Sequence, residues 1–281
     1  MRLRLHQPEY PAALRDLARP PDPLWARGHL DVLQRPTVAI VGTRRATAYA
    51  ERVTRHLSRT LARAGACVVS GLARGVDAEA HRGALEAHGA TCAVLGTGLD
   101  VVYPKGHASL QEEIGNKGLL LSELEPSHPA HPGSFPKRNR IIAALASVTI
   151  VVEAGENSGA LITAREALEL GRNVGVVPGP IDVPQAQGSN RWLRDGAHAI
   201  TNTADALALL GLTASVKLKE LPANGAERRL WDALEQGPTD LDTLCTRSAL
   251  PAHEAMAGVT GLEMLGLVEC AMSGEIRRAS W

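Results

Sequence analysis

Five short β-rich runs in this chain are apolar almost throughout, and each ends in a glycine turn. They are Val38-Ala39-Ile40-Val41 before Gly42, Cys67-Val68-Val69 before Gly71, Cys92-Ala93-Val94-Leu95 before Gly96, Thr149-Ile150-Val151-Val152 before Gly155, and Val174-Gly175-Val176-Val177 before Pro178-Gly179. A strand with one wet face alternates apolar and polar residues. These runs do not, so both of their faces must be covered, as in a parallel sheet lying between two helix layers. The stretches between them are rich in Ala, Leu and Arg at helical spacing, which predicts helices near 48–64, 76–88, 107–116, 138–146 and 160–171. Repeated βαβ units of this kind give an α/β fold with a doubly wound, mostly parallel sheet. Its glycine turns gather along the carboxyl edge, where such sheets bind ligands.

The first turn, Gly42-Thr43-Arg44-Arg45-Ala46-Thr47, carries one glycine where a dinucleotide site has three, and two arginines where a pyrophosphate needs close backbone approach. A nicotinamide-dinucleotide enzyme is therefore disfavoured. Arg44 and Arg45 read instead as phosphate ligands beside a helix N-terminus, or as partners of a carboxylate. Ser70-Gly71-Leu72-Ala73-Arg74-Gly75-Val76-Asp77 has similar chemistry. In Gly155-Glu156-Asn157-Ser158-Gly159, Ser158 either simply caps the following helix or, with the amides at Gly159, holds a phosphate.

The chain's one phenylalanine, Phe135, stands in Gly133-Ser134-Phe135-Pro136-Lys137-Arg138-Asn139-Arg140. A glycine for close approach, a ring on which a base can stack, and three cations within four positions suit single-stranded nucleic acid. The plainer reading is a buried Phe anchoring a solvated basic helix start. Asn139 likewise either hydrogen-bonds a ligand or orients this segment against the Gly155 turn.

Other classes are excluded on composition. Cys67, Cys92, Cys245 and Cys270 stand far apart, so neither a disulfide framework nor a thiolate zinc site is expected. His128 and His131 sit among prolines without an acidic or Cys partner, and no metal is expected. The longest apolar stretch, Ile141 to Val152, is too short to span a bilayer, and Met1-Arg2-Leu3-Arg4 does not open a signal peptide. A cytoplasmic protein with no membrane partner and no cofactor is expected. Formal charge is zero overall, but cations exceed acids over residues 1–220 and acids exceed cations over 221–281.

Taken together, Ile40-Val41-Gly42-Thr43-Arg44, Ser70 to Asp77, Leu95-Gly96-Thr97-Gly98-Leu99-Asp100, Tyr103-Pro104, Ser122-Glu123, Phe135 to Ile142 and Ser158 to Ala164 resemble the DNA-processing protein A family, DprA or Smf, in the same order from about Tyr10 to Leu210. The resemblance implies an extended Rossmann-like domain that binds single-stranded DNA and forms a homodimer through that domain. It also implies protection of incoming DNA and loading of a RecA-type recombinase in natural transformation, with no catalytic residue and no bond broken. It assigns DNA contacts to Arg44 and to Gly133, Ser134, Phe135, Arg138, Asn139 and Arg140. Some members have a lysine where this chain has Pro132, so one phosphate contact is either absent or supplied by Lys137. Many members also carry a helical domain ahead of the sheet, which this chain is expected to lack.

After Lys217 to Gly225, a linker by composition, three helices near 226–236, 239–247 and 252–264 and two short strands around a Ser-Gly turn outline a winged helix. The candidate recognition helix, Ala252 to Leu265, holds Glu254 and Glu263 and no Lys or Arg. A protein-interaction module is therefore preferred over a reader of double-stranded DNA, although Arg228, Arg229, Arg277 and Arg278 remain candidates for phosphate. The expected organisation is a short N-terminal extension at 1–35, a Rossmann-like DNA-binding domain at 36–212, a linker at 213–225 and a small winged-helix-like C-terminal domain at 226–281. The alternative from another class is a Rossmann-like nucleotide phosphoribohydrolase or nucleotide-binding enzyme. Gly155 to Glu166 loosely resembles such enzymes, with Asp77 or Glu166 stabilising an oxocarbenium-like centre, and a carboxylate pair within reach of a bound ribose would favour it.

Overall fold

The structure, a computed structural model, describes residues 1–212, 225–264, 267–271 and 274–278. The chain divides into two units, Met1–Ala214 and Ser215–Trp281. In chain order the larger unit contains β1 (Arg2–Leu3), β2 (Leu24–Gly28), β3 (Thr37–Val41), α1 (Ala48–Arg63), β4 (Cys67–Ser70), α2 (Val76–Glu86), β5 (Ala90–Val94) and α3 (Ala108–Lys117). It continues with β6 (Leu119–Ser122), α4 (Ser134–Leu145), β7 (Val148–Val151), α5 (Gly159–Glu169), β8 (Asn173–Val176), α6 (Gln187–Arg194), β9 (His198–Ala199) and α7 (Thr203–Leu209).

The strands form one nine-stranded sheet in the order β1-β2-β6-β5-β4-β3-β7-β8-β9. From β6 to β9 all neighbours are parallel, while β2 runs antiparallel to β6 and β1 antiparallel to β2. Alternate residues of a strand serve opposite layers. In β3, Val38 and Ile40 pack with Leu57 and Leu61 of α1 and Ala80 and Ala84 of α2, whereas Ala39 and Val41 join the cluster holding Ile141 and Ile142 of α4 and Ala160 and Ala164 of α5. Two covered faces explain the unbroken apolar runs. Helix α1 follows from its own pattern: Thr47 caps it by accepting the Ala50 N–H at 3.2 Å, and Ala50, Thr54, Leu57, Ser58, Leu61 and Ala62 make one buried stripe.

Residues 1–35, expected as an extension, instead belong to the larger unit and give its sheet two strands, β1 and β2. Tyr10, Leu14 and Leu24 are fully buried, and Leu24–Gly28 completes the edge beside β6. Prolines 8, 11, 20, 21 and 23 obscure that strand in the sequence. Strand β6 is equally faint in the sequence, because Leu119-Leu120-Leu121 follows α3 directly and leucine carries no β-branched signal.

The chain winds outward from β3 through β4, β5 and β6, then crosses back to place β7 on the other side of β3. The turns after β3 and β7 therefore diverge, opening a crevice between them at the carboxyl edge. The returning crossover carries α4, which begins at Ser134 rather than near 138. Phe135 and Lys137 thus lie in a first helical turn, where Pro136 is tolerated because its missing N–H has no intrahelical role.

In the smaller unit, α8 (Ala226–Ala233), α9 (Leu241–Ser248) and α10 (Ala252–Met264) surround Leu230, Trp231, Leu244, Val259 and Leu262, and β10 (Val268–Cys270) pairs antiparallel with β11 (Ile276–Arg278). The expected linker at 213–225, apart from Gly225, and part of the turn between β10 and β11 lie outside the described residues.

Candidate nucleic-acid interface

A groove of about 900 Å³ occupies the crevice. It is lined by Arg44 and Arg45 after β3, Tyr103 from the β5–α3 connection, and Phe135, Arg138 and Asn139 of α4. Gly155 to Gly159 ahead of α5 complete it, with Pro184 and Gln185. The expected residues Arg44, Arg45, Phe135, Arg138, Asn139, Ser158 and Gly159 thus share one site. Gly133, Ser134, Lys137 and Arg140 are outside its lining, although Gly133 and Lys137 are exposed on the same turn of α4.

Phe135 is half-buried, and its ring is held by position rather than by a core. A Cβ on Gly96 would stand 2.5 Å from its Cδ1, so the glycine ending β5 is what admits the ring. The Arg44 guanidinium lies 5.5 Å from the Phe135 centroid, within cation–π range. The Tyr103 ring is 5.0 Å away at an interplanar angle of 35°. The first turn of α4 contains no acid but does contain Lys137, with Arg138 following directly. Cations at the positive end of a helix dipole oppose it, an arrangement that an incoming anion relieves.

The three basic or polar residues after Lys137 behave differently from exposed ligands. Arg138 is 5% exposed. Its Nη1 donates to the Gly71 carbonyl at 2.7 Å and to the Val94 carbonyl, fastening α4 to the ends of β4 and β5. A Cβ on Gly71 would fall inside this guanidinium. Burial lowers the Arg138 pKa to about 10, while the nearby Asp77 carboxylate pulls the other way. Asp77 is itself raised, chiefly by burial, against the lowering influence of Arg138 and of backbone N–H groups from Ala73 and Gly71. The Asn139 amide donates to the Gly159 carbonyl at 3.0 Å, tying α4 to the start of α5. Arg140 pairs with Glu123 at 2.5 Å. The resemblance assigns all three to the DNA; in the fold Arg138 and Asn139 still line the groove, but all three side chains are engaged with neighbouring elements, Asn139 against the start of α5 as its structural reading expects.

One contributor, Glu153, carries no signal in the sequence, while Gly75 belongs to the second glycine turn. Glu153, at the end of β7, is buried, and its carboxylate accepts the Thr47 N–H at 3.0 Å and the Thr47 hydroxyl at 2.8 Å. With the Thr43 N–H donating to the Glu153 carbonyl at 2.6 Å, it fixes the turn that presents Arg44 and Arg45. Gly75, at φ +71°, allows α2 to start against the Thr43 carbonyl. Ser158 acts as a cap, accepting the Ala160 N–H at 3.3 Å, and α5 also has no acid in its first turn.

Of the two carboxylates the hydrolase alternative would use, only Asp77 lines the groove, and Glu156 lines it as well. Asp77 is buried and accepts the Ala73 N–H at 3.3 Å, Glu166 does not line the groove, and Glu153 is committed to Thr47. Among the described residues there is no metal-binding cluster, and no helix is long and apolar enough to cross a membrane. In the smaller unit Arg277 pairs with Glu269 at 2.9 Å and Arg228 with Asp232 at 3.0 Å, while Arg278 donates to the Trp231 carbonyl at 2.7 Å. Three of the four candidate phosphate ligands there are therefore engaged internally.

Residues 2–211 match the family model described as DNA recombination-mediator protein A, and residues 217–273 match the DprA winged helix domain. Protein Smf of Synechocystis sp. is 38% identical over 301 residues, spanning 93% of this chain and 76% of its own. DNA processing protein DprA of Streptococcus pneumoniae is 42% identical over 203 residues, spanning 71% and 70%. The X-ray structure of DprA from Streptococcus pneumoniae superposes with a TM-score of 0.72 at 40% identity, covering 74% of this chain and 73% of that one. DNA processing protein A from Helicobacter pylori, whose structure concerns its single-stranded DNA binding mode, gives a TM-score of 0.68 at 36% identity, covering 75% and 94%. Sequence matches over both units, with fold matches over about three-quarters of the chain, make the chain a member of the DNA recombination-mediator protein A family, DprA or Smf, with an α/β sheet domain followed by a winged-helix domain.

Proposed function

We propose that the groove at the carboxyl edge of the sheet binds single-stranded DNA. The observation that carries this reading is the Arg44 guanidinium over the Phe135 ring, a cation and an aromatic face delivered to one point by two separate crossovers. Arg44 has a long exposed side chain that can yield the ring to a base and take the adjoining phosphate. Arg45 and Lys137 neutralise neighbouring phosphates. The Gly159 amide and the Ser134 and Ser158 hydroxyls supply hydrogen bonds along the backbone path, while the Gly133 and Ser134 N–H groups are turned inward to His131. Arg138, Asn139 and Arg140 hold the platform. Stacking is worth about 1–3 kcal/mol per base, and each phosphate neutralised adds about 0.7 to the log–log salt slope. Sequence preference is weak, because ring faces and phosphates carry little base information. The Helicobacter pylori relative, whose structure addresses single-stranded DNA binding, supports the same use of the shared fold.

No bond is broken in this reading. The protein acts in the cytoplasm as a homodimer that shields incoming strands and passes them to a RecA-type recombinase during transformation, a role supported by the family alone. The dimer reading is supported by the apolar side chains of Ile162 and Leu168, exposed on α5 beside a second groove that includes Trp192. The cation-free recognition helix and the internally paired arginines of the smaller unit favour a protein-docking role over duplex binding.

The test is fluorescence anisotropy of a labelled oligo-dT strand across a salt series, with a mononucleotide competitor. Binding that weakens with salt, falls in Phe135→Ala and Arg44→Ala, and resists the mononucleotide is the expected result. Failure to bind the strand, or ready displacement by the mononucleotide, overturns the reading and turns attention to phosphoribohydrolase activity.

A further inference from the structure

The sequence contains three tyrosines, and their environments differ. Tyr10 is buried with its hydroxyl donating to the Pro21 carbonyl at 2.8 Å, and the Tyr49 hydroxyl donates to the Pro178 carbonyl at 3.1 Å. Tyr103 is 42% exposed. It belongs to none of the apolar clusters, and its hydroxyl has no hydrogen-bond partner among the described residues. A large ring left outside every core costs solvent-exposed apolar area, and this one is spent on the rim of the groove against Phe135.

The segment carrying Tyr103 is tied down on both sides. The Val101 carbonyl accepts the Thr97 hydroxyl at 3.1 Å, the Leu99 carbonyl accepts the Gln111 amide at 3.2 Å, and the Pro104 carbonyl accepts the His107 N–H at 2.9 Å. His107 is anchored in turn, its ring Nδ1 lying 3.1 Å from the Leu72 carbonyl, to which it must donate. The Gly98 and Asp100 N–H groups, both at 2.9 Å, reach the His128 and Pro126 carbonyls of the segment leading into α4. The ring is therefore held in place before any ligand arrives, which lowers the ordering cost of binding.

We infer that Tyr103 is a second base-stacking residue, forming with Phe135 a two-ring platform that takes two bases of one strand; this rests on the single-strand reading of the groove. At a centroid separation of 5.0 Å the rings already touch, leaving no slot for a base between them. The strand would take one face of each ring, that of Phe135 once the Arg44 guanidinium yields it. The ligand class is the nucleobase of a flexible single strand, because stacked duplex bases do not expose their faces.

The experiment measures oligo-dT affinity for wild type, Tyr103→Ala, Tyr103→Phe, Phe135→Ala and the Tyr103→Ala/Phe135→Ala double variant, repeated on an abasic strand of equal length. Tyr103→Ala is expected to weaken oligo-dT binding between about five- and a hundred-fold. The salt slope should not change, Tyr103→Phe should retain affinity, and the Tyr103→Ala loss should disappear on the abasic strand. The two alanine losses should multiply in the double variant. Full affinity in Tyr103→Ala overturns the inference. So does a Tyr103→Ala loss that vanishes when Phe135 is already alanine, since Tyr103 would then only prop Phe135. Wild type that does not bind oligo-dT at all overturns the single-strand reading itself, and this inference with it.

Discussion

Replacing Arg138 with methionine separates a phosphate ligand from a residue that builds the platform. The guanidinium donates to the Gly71 and Val94 carbonyls, both on buried residues at the ends of β4 and β5. Methionine fills similar volume but leaves both acceptors without that donor. Each buried group so orphaned costs about 1–3 kcal/mol, and relief of the guanidinium's own desolvation offsets part of the sum, giving an expected loss of about 2–4 kcal/mol. Urea unfolding read by hydrogen exchange on peptides from β4 and β5 reports the larger unit by itself. Asp77 adds a pH signature. Its folded pKa is raised above the ordinary 3.8 mainly by burial, and Arg138 is the strongest influence holding it down. A raised carboxyl favours the fold below its unfolded pKa, and that contribution is lost as pH rises through the folded pKa. Without Arg138 the loss extends to higher pH, so the variant should be more destabilised at pH 8 than at pH 5. A stability loss under about 1 kcal/mol, together with a salt slope for oligo-dT reduced by about 0.7, would show a direct phosphate contact and refute the argument.

Gly96→Ala should weaken strand binding while leaving the unfolding midpoint nearly unchanged, because the atoms nearest the added Cβ all belong to the partly exposed Phe135 ring; anisotropy and urea unfolding check the two halves. Arg140→Gln should leave the salt slope unchanged and cost about 1 kcal/mol of stability, since the ion pair it breaks with Glu123 is only about one-fifth exposed on either side. The Thr91 hydroxyl donates to the Val68 carbonyl, so the buried His81 Nδ1, 2.7 Å away, donates to the Thr91 oxygen and the ring is neutral. Burial first, then the charges of Arg138 and His107, hold its pKa near 3. Stability from the neutral ring is complete above the unfolded pKa of about 6.5 and is lost as pH falls from there toward 3. His81→Gln should flatten that acid slope in thermal scans.

Much of the larger unit can be read in the chain itself, because its information is local. Val38 to Val41 and the other unbroken apolar runs require two covered faces, and the helical periods between them fix the βαβ order whatever the partners. The glycine turns, the absence of a dinucleotide fingerprint and the pairing of a lone Phe with cations also belong to short segments, and they suffice to point to the carboxyl edge. The order of seven motifs carries the family.

Only the tertiary structure decides how those residues are used. Whether Arg138 faces solvent or the ends of β4 and β5 depends on where the crossover returns, which no local pattern states. Residues 1–35 contribute two strands to the sheet because β6 exposes an edge that Leu24–Gly28 can pair, with Arg2–Leu3 beyond it. Glu153 is a loop acid until β7 lies beside β3 and brings it to Thr47. Arg44, Tyr103 and Phe135 come from three connections separated along the chain and meet only because the winding reverses between β3 and β7. Periodicity sets which face of an element is buried, while the partner across that face is set by packing at long range, and the chemistry of this groove lies in the partners.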